Sequence, residues 1–132
     1  MSPIERFFEE VMSVKWGPDK KSVDIIDQTL LPRTIKRIQL DQKEAMWEAI
    51  HCLQVRGAPA IGVMAAYGMA VLAQTIEGDD FESFFRSYGE LSDYLASSRP
   101  TAVNLFWALN RMRTFLESHK DRPLNEIKRG LF

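Results

Sequence analysis

From Gly57 to Ile76 the chain carries no charged residue, and no other stretch constrains the fold as much. A helix that is apolar on every side must be buried on every side. The run contains Gly57, Pro59, Gly62, Gly68 and Gln74 among its alanines, and it lacks the leucine density of a membrane span. No basic or aromatic flank of the kind that anchors a span is evident. The run therefore predicts a central helix within a soluble domain. Ala58, Gly62 and Ala66 recur at four-residue steps, so one face of that helix is nearly bare and another backbone can pack close to it.

The entrance to this helix is Val55-Arg56-Gly57-Ala58-Pro59. Proline suits a first helical turn, where its missing N–H is not needed, and it pushes the preceding Ala58 away from helical geometry. Arg56-Gly57-Ala58 reads as a tight turn. The first N–H groups of the helix lack intrahelical partners and carry partial positive charge. A glycine admits a ligand close to the backbone, and an arginine adds a bidentate grip. These are the parts of a phosphate site. In the plainer reading Gly57 only makes the turn and Arg56 only lies on the surface. Repetition favours the site: Ser98-Arg99-Pro100-Thr101-Ala102-Val103-Asn104 again sets an arginine and a proline before an apolar helix. Two arginines so placed can converge on one anion. Asn104 falls in the first turn of the second helix, where a local cap or a packing hydrogen bond is its plainer role.

Length allows one domain with one core: 132 residues, of which 45% are hydrophobic. Seventeen basic and eighteen acidic residues give a net charge of −1, with no stripe for nucleic acid and no basic face for a membrane. A single cysteine allows no intrachain disulfide, which points to a reducing, cytoplasmic setting. The N-terminus lacks the apolar core of a signal peptide.

In chain order, residues 3–12 read as an amphipathic helix through Ile4, Phe7, Phe8 and Val11. Three strands follow, at 13–16, 22–27 and 34–40, around the turn signal Gly17-Pro18-Asp19. Asp41, with Glu44 in capping-box position, opens a helix to about Gln54. His51 and Cys52 close it. They point to different faces without further ligands, so a packed Cys52 is expected rather than a metal site. After the glycine-entered helix, Gly78-Asp79-Asp80 forms a turn and cap. A helix then carries Phe81, Phe84, Phe85, Tyr88, Leu91, Tyr94 and Leu95 as a core stripe. The next spans about 100–117, with Ala102, Leu105, Phe106, Leu109, Met112 and Leu116 on one face. A last helix opens at Asp121-Arg122-Pro123. The fold class is α+β and mostly α, a small three-stranded antiparallel sheet followed by a bundle of about five helices. No catalytic serine–histidine–acid set, P-loop or paired-cysteine motif occurs. Asp24, Asp27 and Glu44 are available acids with nothing in the pattern to choose between them.

The octet Val55–Gly62 and the stretch Arg99-Pro100-Thr101-Ala102-Val103-Asn104-Leu105-Phe106-Trp107-Ala108 resemble the two N-terminal signatures of methylthioribose-1-phosphate isomerase. That family is related to the alpha, beta and delta subunits of eukaryotic initiation factor two-B and to ribose-1,5-bisphosphate isomerase. The likeness extends over roughly residues 13–132 and includes Trp16, Asp24-Ile25-Ile26-Asp27-Gln28 and Leu31-Pro32. Residues 1–12 stand outside it as an N-terminal extension.

The resemblance implies an aldose–ketose isomerisation in methionine salvage, methylthioribose 1-phosphate to methylthioribulose 1-phosphate, without a metal or redox cofactor. Arg56, Gly57 and Ala58 match the family's substrate-binding triplet, and Arg99 its second substrate arginine. The family's catalytic cysteine and aspartate lie in a further, Rossmann-like domain that 132 residues do not hold, and Cys52 does not match that cysteine. The expected chain is thus an N-terminal domain that binds a sugar phosphate, carries no catalytic residue and is inactive alone. Its expected partners are that C-terminal domain and, compatibly, a second copy in a homodimer, with no nucleic acid or membrane. A regulatory or assembly module, docking through the 3–12 helix and an exposed Trp47, and a ribose-1,5-bisphosphate isomerase fragment are the alternatives.

Overall fold

The computed structural model describes residues 2–4, 14–52, 54, 58–78 and 80–131. Pro3 and Ile4 are helical and exposed; the rest of the expected 3–12 helix, and the boundary at residue 12, lie outside the described residues.

Strands β1 (Val14–Trp16), β2 (Val23–Ile26) and β3 (Arg37–Leu40) form an antiparallel sheet in the order β1-β2-β3. Val14 faces Ile25 and Trp16 faces Val23, while Ile25 faces Ile38 on the other side. Val23 and Ile25 are fully buried, as alternation requires of a half-buried strand. Asp24 points to the opposite face and accepts from Arg37 Nε of β3 at 2.5 Å. The third strand begins at Arg37 rather than Thr34, since residues 34–36 are exposed beyond the end of the ladder.

Helices α1 (Lys43–His51), α2 (Ala58–Ala73), α3 (Phe81–Ala96), α4 (Val103–Ser118) and α5 (Leu124–Gly130) follow. The capping box at Asp41 does not form: Gln42 takes the N-cap position of α1 without a side-chain bond, and α1 stops at His51, short of Gln54. α2 is the central element. Ile61, Met64, Ala65, Met69, Ala70, Val71, Leu72 and Ala73 are all buried, against α1, α3, α4 and the first two strands. Trp16 lies flat on Tyr67, with ring centroids 4.1 Å apart, and joins the sheet to it. Among the described residues no helix is long and apolar enough to cross a membrane.

The bare face of α2 is used as its spacing suggests. A Cβ on Gly62 would stand 3.2 Å from the Asn104 carbonyl oxygen and 3.6 Å from Ala108 Cβ, so α4 packs backbone to backbone there. The far end of α2 meets α5. The Gln74 amide donates to the Lys128 carbonyl at 3.0 Å, and Lys128 Nζ donates to the Ile76 carbonyl at 2.7 Å. The Lys128 ammonium thus sits just beyond the C-terminal end of α2, the negative pole of that helix. Since α5 follows α4 through a short turn, α2 and α4 run in the same direction, and α3 returns alongside them.

The aromatic stripe of α3 is core, with Phe84, Tyr88 and Leu95 buried. Asp80 caps the helix by accepting from the Ser83 N–H at 2.9 Å, and hydrogen bonding to the Ser83 side chain, then to its backbone, lowers the carboxyl pKa. Burial raises the Tyr88 phenol pKa. In α4, Leu105, Ala108, Leu109 and Leu116 face inward, but Phe106, expected in the core, is 38% exposed.

Candidate functional site

Ala58, Arg99 and Asn104 lie at one end of the bundle, where α2 and α4 begin. The end of β2 is tied to the segment after α1: the Gln28 N–H donates to the Gln54 carbonyl at 2.8 Å, and the Gln54 amide donates to Asp27 Oδ2 at 3.3 Å. The other Asp27 oxygen accepts from the Thr29 N–H at 3.0 Å and its hydroxyl at 2.5 Å. Asp27 is therefore a buried anchor of this end, 7% exposed, while Glu44 is exposed and Asp24 is engaged with Arg37.

Arg56 and Gly57 lie outside the described residues, between Gln54 and the first residue of α2. That first residue is Ala58, one position earlier than the preference imposed by Pro59 suggested. The second arginine-bearing segment closes as a four-residue turn, with the Ala102 N–H donating to the Arg99 carbonyl at 3.0 Å. Pro100 thus occupies the second position of a turn, which its fixed φ suits, and α4 starts at Val103 rather than near residue 100. Arg99 is half-buried, and among the described residues no hydrogen bond or ion pair engages its guanidinium. The N-cap of α4, Ala102, offers no side-chain acceptor, so the first N–H groups of the helix stay open at this end. Asn104 sits in that first turn against Gly62 of α2, so the starts of both helices abut. The structure therefore brings together the start of α2, Asn104 and the Arg99 turn.

From Asn104 a groove of about 650 Å³ runs between α2 and α4, past Ala66, Trp107, Arg111 and Met112. Its lining is largely apolar, with Arg111 over the Trp107 ring at 5.5 Å. Trp107 is 61% exposed. Trp47, expected as an exposed docking residue, is half-buried. Its indole N–H donates to Ser97 Oγ at 2.9 Å, and its ring stacks on His51. Cys52 is exposed rather than packed, because α1 ends one residue before it. Its thiol donates to Glu48 Oε1 at 2.8 Å, which raises its pKa. Among the described residues no three His, Cys, Asp or Glu side chains gather where a metal could be held. The contacts of Gln54 and His51 with this end escape sequence reasoning, since they join residues distant in the chain. The Asp27–Thr29 bond alone has a local signature, an acidic cap two residues ahead of a threonine.

Residues 54–132 match the family model described as the Initiation factor 2 subunit family. The methylthioribose-1-phosphate isomerase of Symbiobacterium thermophilum is 51% identical over 107 residues, which are 81% of this chain and 30% of that protein. The 5-deoxyribose 1-phosphate isomerase of Petrotoga mobilis is 47% identical over 121 residues, 92% of this chain and 35% of that protein. The crystal structure of 5-methylthioribose 1-phosphate isomerase from Pyrococcus horikoshii superposes with a TM-score of 0.84 at 43% identity, over 90% of this chain and 33% of that one. Translation initiation factor eIF-2B, subunit delta, from A. fulgidus gives 0.78 at 35% identity, over 90% and 34%. With its buried central helix, small sheet and matched motifs, the chain belongs to the Initiation factor 2 subunit family. It spans about a third of the length of the curated relatives it matches.

Proposed function

We propose that this chain is the N-terminal, substrate-gripping domain of a cytoplasmic aldose–ketose isomerase that acts on a pentose 1-phosphate, with methylthioribose 1-phosphate the first candidate. The observation that carries the reading is the abutment of two helix starts at the end where Arg99 has no side-chain partner among the described residues. Arg56, Gly57, Ala58, Arg99 and Asn104 hold the phosphate through guanidinium groups and open N–H groups. Proton transfer between neighbouring sugar carbons then falls to acid and base groups on the C-terminal domain, in a cleft closed against water.

Relatives named for methylthioribose 1-phosphate and for 5-deoxyribose 1-phosphate share one chemistry, a ribose 1-phosphate without a hydroxyl at C5. An apolar groove that starts at Asn104 suits such a C5 better than a second phosphate would, which ranks ribose 1,5-bisphosphate lower. The test is isomerase activity on all three sugars, with this chain alone and with the full-length product of its gene. Activity on a C5-apolar sugar in the full-length protein only is the expected result. Inactivity of both proteins on every sugar overturns it.

A second reading, a regulatory or assembly module, draws on the likeness to the delta-subunit structure and on Val103, Phe106 and Trp107, which are 78%, 38% and 61% exposed on α4. It uses α4 for docking in place of the half-buried Trp47, and it requires binding to a partner subunit without isomerase activity.

A further inference from the structure

Two residues of α1 that the site reading does not use, Trp47 and His51, both reach the turn that carries Arg99. They lie one helical turn apart, so they share a face. Trp47 Nε1–H donates to Ser97 Oγ at 2.9 Å, and His51 Nδ1 stands 3.0 Å from the Ser98 carbonyl oxygen. A carbonyl only accepts, so Nδ1 carries the proton in this contact. The two rings stack, with centroids 4.5 Å apart, so each limits the other's rotation. Tyr94 stands 6.3 Å from the indole on the facing helix. Ser97 and Ser98 are themselves tied back to α3, through hydroxyls that donate to the Tyr94 and Leu95 carbonyls, each at 2.6 Å. The next residue is Arg99, whose carbonyl closes the turn into α4. Ser97 and Ser98 are thus held from two helices immediately before a guanidinium that has no described partner of its own.

We propose that His51 and Trp47 form a clamp that positions Arg99 for an anionic ligand, with the His51 Nδ1–H to Ser98 carbonyl bond as its determining contact. The proposal rests on the reading of Arg99 as a phosphate-binding residue. Both are positioning residues: they act on the ligand through the Ser97–Arg99 backbone. The alternative role, plain adhesion of α1 to α3, would depend on the rings and not on which ring nitrogen donates.

The two substitutions that separate these roles are His51→Asn and His51→Gln. An asparagine amide places its N–H where Nδ1–H stood; a glutamine amide places it near Nε2. The experiment titrates the 132-residue chain with inorganic phosphate, follows the amide resonances of Ser98, Arg99 and residues 101–105, and separately measures hydrogen exchange at the Ala102 amide without phosphate. Arg99→Ala is expected to remove the phosphate response. His51→Ala and His51→Gln are expected to weaken phosphate binding about three- to tenfold, the worth of one ordinary net hydrogen bond, and to speed exchange at Ala102. His51→Asn is expected to restore both, and Trp47→Phe to give a smaller loss in both. If Arg99→Ala leaves binding unchanged, the phosphate reading falls. If Arg99→Ala abolishes binding but His51→Ala changes neither readout, or if Asn and Gln behave alike, the clamp falls and the phosphate reading stands.

Discussion

Replacing Gly62 tests the packing that brings the two helix starts together. A Cβ there meets the Asn104 carbonyl oxygen at 3.2 Å, slightly inside ordinary carbon–oxygen contact, and Ala108 Cβ at 3.6 Å. Alanine gains about 1 kcal/mol of helix propensity over glycine, and a few tenths of an ångström of helix separation offset most of it. Gly62→Ala is therefore expected to be near neutral. Leucine adds three more carbons against backbone atoms of α4 that cannot swing aside. Overpacking of this kind costs about 1–3 kcal/mol, and the rigid neighbour places it near the top of that range. Set against the propensity gain, Gly62→Leu should destabilise by about 2 kcal/mol. An unfolding entropy of about 0.28 kcal/mol/K for a chain of 132 residues converts this to a fall in Tm of about 7 °C. Val63→Leu is the control, since Val63 is 42% exposed and a surface change there should stay within about 0.5 kcal/mol. Thermal and urea unfolding of the three variants provide the measurement. A Gly62→Leu protein as stable as the Val63→Leu control would refute the close backbone approach.

Three further perturbations address other contacts. Arg99→Ala or Arg56→Ala in the full-length gene product should raise KM for the sugar phosphate by the equivalent of about 1.5–3 kcal/mol, with little change in Tm; unchanged kinetics in both would remove the phosphate site. Asp80→Ala should lower Tm near neutral pH. The folded carboxyl titrates below its ordinary 3.8, so the stabilisation is complete above that value and is lost as pH falls through the folded pKa; a difference in Tm that does not shrink on acidification below that ordinary value would contradict the cap. Tyr88→Phe should raise stability by about 1 kcal/mol, because the buried hydroxyl has no hydrogen-bond partner among the described residues, and a loss of similar size in urea unfolding would show that it has one.

The central helix was legible because its signal is one of exclusion: a run of twenty residues without charge favours the interior, and α2 is buried along most of its length, with Val63 exposed. The sheet was legible from Val23 and Ile25, and the α3 core from Phe84 and Tyr88. The errors fall where tertiary contacts override local preference. Asp41 is a good cap by type, yet the end of β3 at Leu40 leaves Gln42 as the residue that enters α1. Phe106 follows the helical period but faces away from α2. Trp47 looks like a docking residue until Ser97 and His51, far from it in sequence or on its own helix, are seen to occupy it. A free cysteine packs by type, but Cys52 falls at the C-cap of α1 and is exposed there.

That α2 and α4 begin at the same end follows from connectivity alone. Three successive helices with short connections alternate in direction, so the first and third begin at the same end. The segments 74–80 and 97–102 are short, and each motif precedes a helix with one helix between them. What the chain order does not supply is nearness across that end, and Gly62 supplies it. A side chain at this position would hold α4 away from α2 and separate Asn104 from the first turn of α2. The small residues that let α2 be buried thus also set the distance between the two helix starts. On the proposed reading, stability and phosphate affinity therefore share a determinant. Substitutions on this face should weaken both together, whereas Arg99→Ala should weaken affinity alone.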